Sequence, residues 1–193
     1  MAAPTIKSIN LPLLIFPILL LFRRASGTGG IASDTLSNGG NITDGETLVS
    51  AGGSFTLGFF SPGGVPTKRY LGIWFTAPGV VDAVCWVANR DAPLNNTSGV
   101  LVIGTGGSLR LLDGPRGQTA WSSNTTTGAS AASTVAQLLD SGNLVVSEKS
   151  SGRRVVLWQS FDHPSNTLLA GMKFGKSLKT GAEWSLTSWR AKD

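Results

Sequence analysis

Residues 136–147 read Ala-Gln-Leu-Leu-Asp-Ser-Gly-Asn-Leu-Val-Val-Ser, with apolar runs on either side of Asp140, Ser141, Gly142 and Asn143. Gly adopts positive φ at little steric cost, and Asp and Asn side chains bond their own backbone, so the stretch predicts a β-hairpin. The phrase recurs in degenerate form. Gly53-Ser54-Phe55-Thr56-Leu57-Gly58 and Gly107-Ser108-Leu109-Arg110-Leu111-Leu112 both place Gly and a small polar residue before an alternating run. Each copy leads to a tryptophan: Ser54 to Trp74, Ser108 to Trp121 and Asn143 to Trp158. Three copies of one β-unit, each delivering a large ring, predict three sheets sharing an axis filled by Trp74, Trp121 and Trp158.

The rest of the chain agrees with an all-β class. Its 193 residues are one domain's worth, and 25 Gly and nine Pro with no apolar stripe at helical spacing imply many short strands and turns. Phe55, Leu57 and Phe59 alternate with Ser54, Thr56 and Gly58, the period of a half-buried strand. Residues 70–75 and 80–87 read as apolar strands, the second carrying Trp86 toward the interior. Residues 28–43 read as a loosely held leader strand with turns, and Asp44-Gly45 as the turn of a hairpin into residues 47–50. Cys85 is the one cysteine, so no disulfide forms within the chain, and its place beside Val84 and Trp86 marks it as a buried thiol.

Several phrases are more specific than a fold class. Asp44-Gly-Glu-Thr-Leu-Val-Ser, Phe55-Thr-Leu-Gly-Phe-Phe-Ser-Pro, Tyr70-Leu-Gly-Ile-Trp, Trp86-Val-Ala-Asn-Arg-Asp, Leu138-Leu-Asp-Ser-Gly-Asn-Leu-Val, Trp158-Gln-Ser-Phe-Asp and Thr187-Ser-Trp-Arg follow one another in order. Together they resemble the bulb-type (monocot mannose-binding) lectin domain of plant S-domain receptor-like kinases and S-locus glycoproteins. The resemblance implies a β-prism II of three antiparallel sheets with pseudo-threefold symmetry. It places the lectin domain at residues 28–156 and a C-terminal segment, 157–193, at the start of the next S-domain region.

The N-terminus points to export. Lys7 precedes a twelve-residue apolar run, 11–22, followed by Arg23, Arg24 and the small residues 25–27. A membrane span needs about 20 apolar residues, so residues 1–27 read as a secretory signal. Removing it takes away three of the sixteen basic residues and no acidic one, which lowers the formal charge from +5 to +2. The remaining charges are scattered, and Lys173, Lys176 and Lys179 lie in a Gly-rich stretch, so nothing indicates nucleic acid. Sequons at Asn41, Asn95, Asn96 and Asn124 sit in polar, turn-like surroundings and predict N-glycosylation, with Asn95 and Asn96 overlapping. The expected product is secreted to the apoplast, or reaches the plasma membrane if the reading frame is longer and this chain is a truncated receptor ectodomain.

In sugar-binding members of the resembled family each site follows Gln-x-Asp-x-Asn-x-Val-x-Tyr. On the third unit that pattern falls on Leu139, Ser141, Asn143, Val145 and Ser147, of which Asn143 and Val145 match. The second unit offers Gly104, Gly106, Ser108, Arg110 and Leu112, and the first Ser50, Gly52, Ser54, Thr56 and Gly58, with no match in either. Asn143 and Val145 are therefore the candidate sugar contacts, and Leu139, Ser141 and Ser147 are degenerate positions. Each lost polar partner costs a sugar site on the order of 1–3 kcal/mol.

Catalysis and metals find no footing. Ser160, Asp162 and His163 are hydrolase residue types, but they are close neighbours on one segment, whereas a triad is assembled by the fold. His163 is the one histidine, too few ligands for the usual metal site, and kinase motifs are missing. No enzyme activity, metal or cofactor is expected. Two readings stay open: a lectin module for mannose-type glycans with a degenerate site, or a protein-interaction module for cell-surface partners, including homo- or hetero-dimers with S-domain receptors.

Overall fold

A computed structural model describes residues 33–187 except 64–66, 77–82, 115 and 126–128. The signal segment 1–27 lies outside the described residues. The chain first lays down three short strands, β1 (Thr35–Ser37), β2 (Asn41–Thr43) and β3 (Thr47–Val49). Three meanders follow: β4 (Phe55–Phe60), β5 (Tyr70–Phe75) and β6 (Val84–Val87); β7 (Gly99–Ile103), β8 (Leu109–Asp113) and β9 (Thr119–Ser122); β10 (Thr134–Leu138), β11 (Leu144–Ser150) and β12 (Arg153–Gln159). The short strands close one edge of each meander in reverse order, giving antiparallel sheets β3-β4-β5-β6, β2-β7-β8-β9 and β1-β10-β11-β12.

The described part of the leader, residues 33–43, is strand and turn as read, but it is held in two sheets and not loosely. Leu36, Ile42 and Leu48, one from each short strand, are all 4% exposed. The three short strands thus tie three sheets together through one continuous backbone. Asp44-Gly45 is a corner between two sheets instead of a hairpin turn. Glu46 clamps it by accepting from the Thr43 N–H and hydroxyl, both at 2.8 Å, and Asp44 forms a two-pronged ion pair with Arg69.

The pseudo-threefold symmetry reaches into irregularities. Ile73, Leu111 and Val146 on the third strand of each sheet pair with Trp86, Trp121 and Trp158, and in each case the register shifts immediately afterward. The bulge leaves Cys85, Ala120 or Leu157 unpaired before the tryptophan and aims the ring at the axis. The rings meet at centroid separations of 5.8, 5.8 and 5.7 Å, all edge to face, the arrangement that aromatic quadrupoles favour.

Trp86 thus stands where Trp74 was expected. Trp74 lies on β5 opposite Thr56, on the outer face of the first sheet, and packs edge-on to Phe60 at 6.4 Å. Alternation decides this, because its neighbour Ile73 takes the interior. The outer rings also explain why residues 55–59 are buried throughout instead of on alternate faces. Phe60, Tyr70 and Trp74 cover that side, seated over the facing pair Gly58 and Gly72. A Cβ on Gly72 would sit 2.6 Å from the Phe60 ring and 2.8 Å from the Trp86 carbonyl oxygen, so the floor admits no side chain.

Cys85 is 5% exposed, with its thiol 3.3 Å from the Ala83 carbonyl oxygen. Burial pushes its pKa up, opposed by a hydrogen bond from the Phe75 backbone. A low thiolate fraction and poor access make it inert. Ellman's reagent should label Cys85 only at the rate of unfolding; prompt labelling of the native protein would contradict this burial.

Candidate functional site

The 136–147 hairpin forms as read. Its turn closes through Leu139 N–H to Asn143 O and Gly142 N–H to Leu139 O, both 2.9 Å, with Gly142 at φ 83°. Alternation along β11 sends Leu144 and Val146 to the core and Val145 and Ser147 to the outer face. The sugar-pattern positions do not present a common polar surface. Leu139 and Ser141 are exposed, Val145 is half-buried, and Asn143 and Ser147 are 8% and 3% exposed.

Asn143 is committed to the chain itself. Its amide nitrogen donates to Gln159 Oε1 at 2.9 Å, and its Oδ1 accepts from the Ser160 hydroxyl and the Phe161 N–H, both at 3.2 Å. Ser160 in turn accepts from the Leu144 N–H at 2.9 Å. The bonds join the start of β11 to the exit of β12. Equivalent clamps occur in the other sheets, where the Leu109 N–H donates to Ser123 at 2.9 Å and the Leu71 N–H to Asn89 at 2.8 Å. Sequence reading missed these clamps, whose signal is a small polar residue two or three places after each axial tryptophan.

Val145 lies between Gln137 and Gln159 across the sheet, and both amides are engaged. Gln137 donates to Asp34 and accepts from Arg154, each at 2.8 Å; Gln159 donates to Asp162 at 2.9 Å. Burial acts to raise the Asp162 pKa, but the Gln159 amide and Lys173 outweigh it and hold the carboxyl below its ordinary range. Asp140, one residue off the sugar pattern, accepts from the Gly52 N–H at 2.6 Å and so braces the first unit against the third.

The clamps also correct the alignment of the first unit. Leu71 corresponds to Leu109 and Leu144, so the sugar-pattern strand there is β5, with Tyr70, Gly72 and Trp74 at the positions of Asn143, Val145 and Ser147. Thr56 and Gly58 lie instead on the preceding strand β4, with Ser54 just before it. The outer face of this unit is filled with rings, and that of the second carries Arg110, bonded to Thr119.

Ser160, Asp162 and His163 do not converge as a triad. The Ser160 hydroxyl is turned to Asn143, and the His163 ring lies flat on Trp158, 12° from parallel at 5.4 Å. Burial lowers the His163 pKa, with the Asp162 charge opposing. Among the described residues no three His, Cys, Asp or Glu side chains gather as a metal site. Asn41, Asn95, Asn96 and Asn124 are all exposed. Arg90 and Asp91 pair at 3.4 Å on the surface, worth little there. No described helix is long and apolar enough to cross a membrane. Strand β12 runs on to Gln159, so the third sheet extends past position 156.

The chain is 45% identical over 153 residues to a G-type lectin S-receptor-like serine/threonine-protein kinase of Arabidopsis thaliana, covering 79% of this chain and 18% of that protein. It is 43% identical over 183 residues to an S-locus-specific glycoprotein of Brassica oleracea, covering 94% and 40%. The chain thus spans less than half the length of these relatives, and the match to the kinase is confined to 18% of it. A monocot mannose-binding lectin from Gastrodia elata superposes with a TM-score of 0.47 at 19% identity, over 66% of this chain and 94% of the other. The D-mannose binding lectin family matches residues 83–190, more than half of the sequence. With three tryptophan-centred sheets and the S-domain phrases in order, the chain belongs to the bulb-type, D-mannose binding lectin family.

Proposed function

We propose that this domain is an extracellular recognition module of the S-domain type whose mannose-type sites are degenerate, and that its principal partner is a cell-surface protein. The observation that carries this reading is the buried Asn143 amide, whose Oδ1 accepts two bonds and whose nitrogen gives one of its two N–H groups within the chain. A mannose hydroxyl would have to displace one of those partners to reach Oδ1. Loss of the Gln, Asp and Tyr positions and the ring-filled first unit support the same reading. Any residual sugar affinity of the outer faces belongs to the third unit, around Asn143 and Val145.

Calorimetry with methyl α-D-mannopyranoside should find no outer-face Kd tighter than about 1 mM, equivalent to about −4 kcal/mol. The variant Leu139→Gln, Ser141→Asp, Ser147→Tyr should gain little, because Ser147 is buried and Asn143 stays engaged. Sub-millimolar binding that is lost in Val145→Ser would overturn the reading in favour of a working lectin. Association of the domain with S-domain receptor ectodomains, measured by interferometry, tests the partner class, including homo- or hetero-dimers. Export and sequon occupancy belong to the same proposal. Expression with the native N-terminus in plant cells should yield an apoplastic product that loses mass on glycosidase treatment.

A further inference from the structure

At the end of the prism axis, where the chain leaves β6, β9 and β12, lies a cavity of about 720 Å³. Its size falls within the range of about 300–1,000 Å³ common for small-molecule sites. None of the five sugar-pattern positions of the third unit lines it. Its aromatic surface comes from the tryptophan cluster. Trp86 and Trp158 are 3% and 8% exposed, but Trp121 keeps part of its ring open, and the exposed His163 lies flat on Trp158.

The polar surface is built as well. Ser123 and Ser165, 8% and 2% exposed, each accept a backbone N–H, from Leu109 at 2.9 Å and from Val87 at 3.1 Å. Ser122 accepts from the Asn124 N–H at 3.1 Å. These bonds fix the oxygen atoms and leave the hydroxyl protons with no acceptor among the described residues. The symmetry-related Ser160 shows the contrast, since it donates its proton to Asn143. Buried hydroxyls facing a cavity with protons to give call for acceptor oxygens inside it.

Charge narrows the ligand further. Asp162 is neutralised by Lys173 at 2.9 Å, and Asp91 lies 3.4 Å from Arg90. Only Glu183 among the lining carboxylates has no described ion-pair partner, and it offers an acceptor for a ligand hydroxyl. A wall so balanced gives a strongly charged ligand little advantage.

We infer that this axial cavity is a site for a neutral pyranose, separate from the outer-face mannose positions. One C–H face of the ring packs on Trp121, oxygen atoms of the sugar accept from Ser122, Ser123 and Ser165, and a sugar hydroxyl donates to Glu183. The inference goes beyond the proposed partner recognition and does not rest on it.

Nuclear magnetic resonance titration, following the Trp121 indole N–H, tests it with methyl β-D-glucopyranoside, methyl β-D-galactopyranoside and methyl α-D-mannopyranoside in turn. At least one glycoside should shift that resonance saturably. The Kd should rise about tenfold or more, about 1.4 kcal/mol, in Ser185→Trp and in Ser123→Ala, and stay unchanged in Val145→Ser. Ser185 lines the cavity and is exposed, so its replacement fills the mouth without removing a described hydrogen bond and carries the test if Ser123→Ala misfolds. No shift with any glycoside, a shift lost in Val145→Ser but kept in Ser185→Trp, or a response to arginine methyl ester alone would each overturn the site. Absence of pyranose at the axis leaves partner recognition standing, and failure of the receptor ectodomains to bind leaves the axial site standing.

Discussion

Trp86→Ala should destabilise the domain by roughly 3–5 kcal/mol, the loss typical of truncating a large buried ring. The ring is 3% exposed, touches both other axial tryptophans edge to face, and donates its indole N–H to the His163 carbonyl at 2.9 Å. A cavity on the axis would also loosen contacts made by all three sheets, because each contributes one ring. Trp74→Ala should cost clearly less, since that ring is half-buried on an outer face. Urea denaturation of the two variants decides the matter. Equal losses would mean that the axis is not the centre of packing.

Asn143→Ala should cost roughly 2–4 kcal/mol, as it leaves the Phe161 N–H without its acceptor in a buried place and removes the Ser160 and Gln159 partners together. Asn143→Asp should also destabilise: the two bonds accepted by Oδ1 survive, but a buried carboxylate oxygen then faces Gln159 Oε1 in place of a donor. Stability measurements therefore have to precede any binding assay on this residue. On sequence alone Asn143→Ala reads as a binding mutation, yet an effect on ligand without an effect on stability would contradict the bonding described here. The same logic makes Val145→Ser the better probe of the outer face, since its side chain supports no described hydrogen bond.

Much of the architecture was legible without coordinates, for identifiable reasons. Turn residues with tolerance for positive φ, period-two runs and a tryptophan after each unit are local signals, and local signals predicted the all-β class, the 136–147 hairpin and three sheets around aromatic rings. The S-domain phrases carried the family. Loss of the sugar pattern was equally visible, because Leu139, Ser141 and Ser147 lack the needed groups whatever the fold.

What the tertiary structure alone decided concerns pairing between segments far apart in the chain. Nothing local in residues 35–37, 41–43 and 47–49 tells that each joins a different sheet; that follows from which edges remain open after the meanders form. The choice of Trp86 over Trp74 turned on a one-residue bulge and the alternation it interrupts. Longer connections in the first unit hid that shift from any count of repeats. Asn143 kept the residue type of a sugar contact, but its amide faces Gln159, Ser160 and Phe161, brought alongside by β12 some sixteen to eighteen positions later. A residue type names the bonds a side chain can make; the fold, by placing partners around it, determines which of them remain for a ligand.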